Sequence, residues 1–146
     1  MAEKSQRELY SREMLSLAVE LAAFPLDMDA PLRGEARSRA CGSVVTVSAH
    51  PAADGSLHDT GLRASSCAVG QAAAALFLRK AEGQDPESLR QVLAQLESWL
   101  GADGPMPDWP GIEIIAPARA FPARHGAILL PWQAAIAALS SGQKLG

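Results

Sequence analysis

The sequence predicts an α+β domain, a small three-stranded antiparallel sheet covered by helices. Three observations carry this. Apolar residues recur at three- and four-residue steps near both ends of the chain. β-branched residues alternate in the middle, on either side of an Asp-Gly turn. The strands are grouped between a first helix and several later ones, the segregated order of an α+β layer pair rather than the alternation of a parallel sheet. At 146 residues a single domain over 1–146 is expected, long enough to bury about 68–70% of the surface of its unfolded chain.

Ser5 with Glu8 three places on has the form of a capping box. The helix it opens carries one apolar stripe, Tyr10, Met14, Leu17, Leu21 and Phe24, and Pro25 stops it. Residues 26–39 are rich in turn formers, with Pro31 and Gly34. Strands are expected at about 36–39, 43–49 and 57–64, the last two joined across Asp54-Gly55. After Cys67 an alanine-rich helix runs toward Gly83. Asp85-Pro86 is an N-cap followed by a first-turn proline. The helix it opens keeps Leu89, Val92, Leu93, Leu96, Trp99 and Leu100 on one side until Gly101. A loop follows over 101–111, then "IEIIAPAR", which suits a helix or a strand. The last helix is expected from about Ala127 to Ser140, with Leu129, Trp132, Ile136 and Leu139 on one face and Pro131 in its first turns.

The chain is 48% hydrophobic and 20% charged, with a net charge of −3. That balance excludes general nucleic-acid binding, which needs a basic surface. No stretch approaches the roughly 18 apolar residues of a membrane span, so no membrane partner is expected. "MAEKSQRELYSRE" is too polar for a secretory signal, and the expected location is cytoplasmic. Two cysteines are too few for a disulfide scaffold. They are either small core residues or a reactive or metal-binding pair.

Three places draw attention together. Cys41-Gly42 sits in the turn entering a strand, Cys67 begins a helix, and His125-Gly126 begins the last helix. A helix N-terminus offers unpaired N–H groups and partial positive charge, which favour thiolate, the form that binds soft metals and takes up sulfur. His125 suits a ligand or a capping role, whereas His50 and His58 flank the hairpin turn and should be exposed. Ser43 has no evident base beside it, so no catalytic nucleophile is expected. Arg33, Arg37, Arg39 and Arg124 are either a positive rim to the pocket or scattered solvated charges.

At these residues the chain resembles the U-type iron–sulfur cluster assembly scaffolds, the IscU, NifU and SufU proteins, over nearly its whole length. "ACGSVVTVS" is similar to the family's first-cysteine motif, Ala-Cys-Gly-Asp before a strand. "SSCAVGQAAAALFLRKAEGQD" is similar to its second, a cysteine opening a small-residue helix. "FPARHGAILLPWQAAIAAL" is similar to its third, Pro-x-Arg, a cysteine and a Leu-x-Trp helix. The long segment between the second and third motifs is closest to the SufU branch. The resemblance implies a non-enzymatic scaffold that binds iron or an iron–sulfur cluster, accepts sulfur from a cysteine desulfurase and passes the cluster to acceptor proteins.

Two of the family's ligand positions have changed: Gly126 stands where the third cysteine is expected and Ser43 where the acidic residue is. Zinc wants three or four protein ligands and a cluster usually four. The matching positions here supply Cys41 and Cys67, with His125 next to the third. The resemblance therefore leaves two functions: a scaffold holding a labile cluster or zinc through Cys41, Cys67, His125 and borrowed ligands, or a degenerate member that keeps the fold and partner surface without holding a cluster. The zinc-dependent sulfur acceptance of the SufU branch would rest on the same missing ligands. If the pocket is otherwise intact, Gly126→Cys is expected to restore a third thiolate facing Cys41 and Cys67.

Overall fold

A computed structural model describes residues 11–145. The expected capping box at Ser5 and Glu8, and Tyr10, lie outside the described residues. The first described helix, α1 (Arg12–Glu20), is capped by Ser11, whose side chain accepts from the Met14 N–H at 3.2 Å. Met14 and Leu17 are buried, and Leu21 and Phe24 pack partly against the core, so the expected stripe faces inward. Three strands follow, β1 (Leu32–Arg37), β2 (Val44–Pro51) and β3 (Leu57–Ser65), in the order β1-β2-β3 and antiparallel throughout. Then come α2 (Ala68–Arg79), α3 (Pro86–Gly101), two 3-10 segments at Ile112–Ala120 and Pro122–Arg124, and α4 (His125–Leu145).

The first strand departs from the expectation of about 36–39. It begins at Leu32 and runs through Gly34, a residue that reads as a turn former in sequence. The reason is tertiary. A Cβ at Gly34 would overlap the backbone of α4, at Ala134 O and Ala138 N, so glycine lets the helix lie directly on the strand. β2 buries Val45, Val47 and Ala49 on the face toward the helices, and β3 contributes Leu57 and Leu62.

α4 packs across β1 and β2 and against α2 and α3, which makes it the central element. It is longer at both ends than expected, and Pro131 lies inside it rather than in a first turn. Covered on several sides, it buries Ile128, Leu130, Trp132, Ala134, Ala135, Ala138 and Leu139, while Leu129 and Ile136, expected on its core face, are only partly buried. α3 begins as read, with Asp85 as N-cap and Pro86 in the first turn, and Ser88 completes a capping box that was not expected. The ambiguous "IEIIAPAR" is 3-10 helix, entered through Gly111 at a φ of 87°. Trp109 anchors this region by donating from Nε1 to Leu76 O at 2.8 Å, and its ring meets Phe77 and Trp132 in a three-ring cluster.

Candidate functional site

The end of the sheet where β2 begins and β3 finishes gathers the residues of interest. The β2–β3 ladder sets Val44 opposite Ser65, so the chain segments carrying Cys41 and Cys67 leave the sheet side by side. Before β2 the chain makes a tight turn. Ser38 N–H donates to Ser43 O at 2.9 Å, Gly42 N–H donates to Ser38 O at 2.9 Å, and Gly42 adopts a φ of 70°, the left-handed conformation glycine takes most readily. This turn holds Ser38 and Ser43 buried while Cys41 rides on its outside.

Cys41 is exposed as a residue, but its sulfur is turned inward onto Ser43, with Sγ 3.1 Å from Oγ. Ser66 donates to the same Ser43 Oγ at 3.1 Å. That leaves the Ser43 hydrogen free to point at the sulfur. Burial of the sulfur opposes its ionisation, but the hydrogen bonds from Ser38 and Ser43 and the charge of Arg124 outweigh it. The Cys41 pKa is held below the ordinary thiol value.

Cys67 is half-buried, packs against the core and occupies the N-cap of α2 without capping it through its side chain. Its neighbour Ser66 is the bridge to Cys41, through Ser43. α2 meets α4 closely here: a Cβ at Gly70 would overlap Ser66 Oγ and stand 3.1 Å from the Ala127 Cβ. Gly126 faces the same pocket. A Cβ placed on it would overlap Ser38 Oγ and lie 3.2 Å from Ser38 Cβ. The three motif positions Cys41, Ser43 and Gly126 thus lie around one packed cluster of hydroxyls, Ser38, Ser43 and Ser66, and Cys67 follows Ser66 in the chain.

His125 turns elsewhere. Its Nε2 is 3.0 Å from Arg119 O, a carbonyl that only accepts, so the ring donates through Nε2 and braces the start of α4 against the preceding 3-10 segment. Arg119 is itself held by donation to Trp99 O at 3.0 Å and by stacking over the Trp99 ring at 5.1 Å. Among the described residues no three His, Cys, Asp or Glu side chains gather in a way that could hold a metal ion. His58 pairs with Glu82 at 3.1 Å and His50 with Asp27 at 3.4 Å, both near the hairpin turn. Of the arginines, Arg124 acts on Cys41. Arg37 bonds Glu35 at 2.9 Å, and Arg33 reaches toward the Met28 sulfur at 3.9 Å.

Ser38, Ser66 and Gly70 do not stand out in sequence. The serines flank the cysteines at short range, in "SRACGS" and "SSC", but serine is common in turns, and only the close approach of the turn to α4 gives them a shared pocket.

No protein-family model and no curated protein matches the chain. Solved structures do. A nitrogen-fixing NifU-like protein (N-terminal part) from Brucella abortus is similar with a TM-score of 0.85 at 24% identity, covering 97% of this chain and 99% of that one. A candidate iron–sulfur cluster assembly scaffold protein for the SUF system from the thermophile Fervidobacterium islandicum is similar with a TM-score of 0.78 at 18% identity, over 91% and 98% of the two chains. The chain therefore has the α+β fold of U-type scaffold proteins, as its motifs imply. No helix among the described residues is long and apolar enough to cross a membrane.

Proposed function

We propose that this chain is a non-catalytic, cytoplasmic partner protein of iron–sulfur cluster assembly that docks with the fold of a scaffold but does not hold a cluster or a metal ion with its own residues. One observation carries the reading: Cys41 contacts only hydroxyls here, Cys67 follows the Ser66 that joins them, and among the described residues no group of three His, Cys, Asp or Glu gathers that could hold a metal ion. A cluster or zinc needs three or four good ligands. Hydroxyls are poor ligands for soft metals, and the Nε2 of His125 is engaged with Arg119. The residues present do not fit either group when the chain stands alone. Its partners are a cysteine desulfurase and iron–sulfur acceptor proteins, as for the fold it shares. Cys41, with its sulfur favoured as thiolate, is the group that meets sulfur or metal brought by such a partner, and Cys67 stands beside it.

Metal analysis tests this. The protein is purified with and without anaerobic reconstitution with iron and sulfide, and zinc, iron and acid-labile sulfide are measured against protein. Well under one metal per chain is expected under both conditions, together with complex formation with a cysteine desulfurase. Stoichiometric zinc, or a stable cluster after reconstitution, would overturn the reading and restore the scaffold function, with Cys41, Cys67 and His125 as its ligands.

A further inference from the structure

We infer that Ser38 closes this pocket to a third ligand: its hydroxyl stands in the seat that a side chain at position 126 would take, so Gly126 and Ser38 are a matched pair. The inference rests on the reading that the chain holds no metal of its own, and it explains how the third position came to be sealed rather than merely empty.

The geometry is specific. A Cβ at 126 would overlap Ser38 Oγ, and the next atom it meets is Ser38 Cβ at 3.2 Å. Nothing else is met within van der Waals reach, so the obstruction is one hydroxyl. Ser38 is not free to swing aside without loss. It is 8% exposed and its backbone is pinned in the turn through its own N–H and C=O, so the hydroxyl has little open space to turn into. It follows that Gly126→Cys alone, which the motif suggests would restore a site, does not: the new side chain meets Ser38 before it can face Cys41.

Two experiments test this, one without metal. In the first, thermal midpoints are measured for wild type, Ser38→Ala, Gly126→Ala and the double variant. Gly126→Ala is expected to melt several degrees lower, and adding Ser38→Ala is expected to recover most of that loss because the overlapping oxygen is gone. Additive shifts overturn the inference. In the second, zinc alone is titrated by chelator competition into wild type, Gly126→Cys and Ser38→Ala/Gly126→Cys. The double variant is expected to bind zinc at least about tenfold more tightly than Gly126→Cys, because a third thiolate can then reach the ion. Ser38→Gly/Gly126→Cys serves as a second version, since it also removes the Cβ left at 3.2 Å. Equal zinc affinity in Gly126→Cys and both double variants overturns the inference. Tight zinc in the wild type instead overturns the functional reading beneath it, while the metal-free comparison still reports on the seat itself.

Discussion

Trp132→Ala probes whether α4 is the keystone its position implies. Trp132 is fully buried, with its ring 5.5 Å from Phe77 and 5.3 Å from Trp109, both edge-on. Truncation to alanine removes on the order of 150 Å² of buried apolar area, about 4 kcal/mol at roughly 25 cal/mol per Å². Losing two edge-to-face contacts adds about 1–3 kcal/mol. One term opposes these: the Trp132 indole N–H is buried with no partner among the described residues, and removing it relieves about 1–3 kcal/mol. The net is about 4 kcal/mol, within the roughly 3–5 kcal/mol expected for large aromatic truncations. At roughly 3 °C per kcal/mol for a chain of this size, the midpoint falls by about 12 °C. Urea unfolding followed by far-UV circular dichroism is the assay, because tryptophan fluorescence would change with the variant itself. Trp132→Phe sharpens it. Phenylalanine keeps much of the ring volume and discards the unpaired N–H, so its loss should stay below about 1.5 kcal/mol. A Trp132→Ala shift under about 1 kcal/mol, or equal losses in both variants, would show that α4 is not docked through this ring.

Gly34→Ala should destabilise by at least about 1–3 kcal/mol, because its Cβ meets the α4 backbone and the helix must lift from the strand. Gly101→Ala, where a Cβ meets nothing within 4 Å, is the control and should be neutral or stabilising in the same urea titration. For Cys41, iodoacetamide alkylation of Cys67→Ser should rise with pH at a midpoint below that of the same thiol in the unfolded chain. Ser43→Ala should move that midpoint upward; an unchanged profile would remove Ser43 from the account of the thiolate. Because the folded pKa is the lower one, the unfolded chain binds more protons between the two values. Stability from this group therefore grows as pH rises through that window, is fully present above the unfolded value and is lost as pH falls through the folded one.

Much of the fold was legible because it is written locally. Asp85-Pro86 defines the start of α3, Asp54-Gly55 marks the hairpin, and the spacing of Met14 and Leu17 assigns the inner face of α1. These signals depend on caps, turns and periodicity, which a short window contains. The motifs around Cys41, Cys67 and Gly126 likewise pointed to the fold and to the altered third position. What the window could not contain was contact between distant segments. Gly34 reads as a turn residue until α4, a hundred residues later, is laid on it, and only then is it the middle of a strand. His125 reads as a neighbour of the third ligand position until the Arg119 carbonyl takes its Nε2. Ser38 reads as one more turn serine until the start of α4 brings Gly126 against it. The sequence by itself determined most of the helices and the hairpin, and the resemblance of its motifs pointed to Gly126 and Ser43 as exchanged positions. Tertiary packing decided what fills the vacated position, because steric exclusion between residues 38 and 126 exists only once the turn and the helix meet.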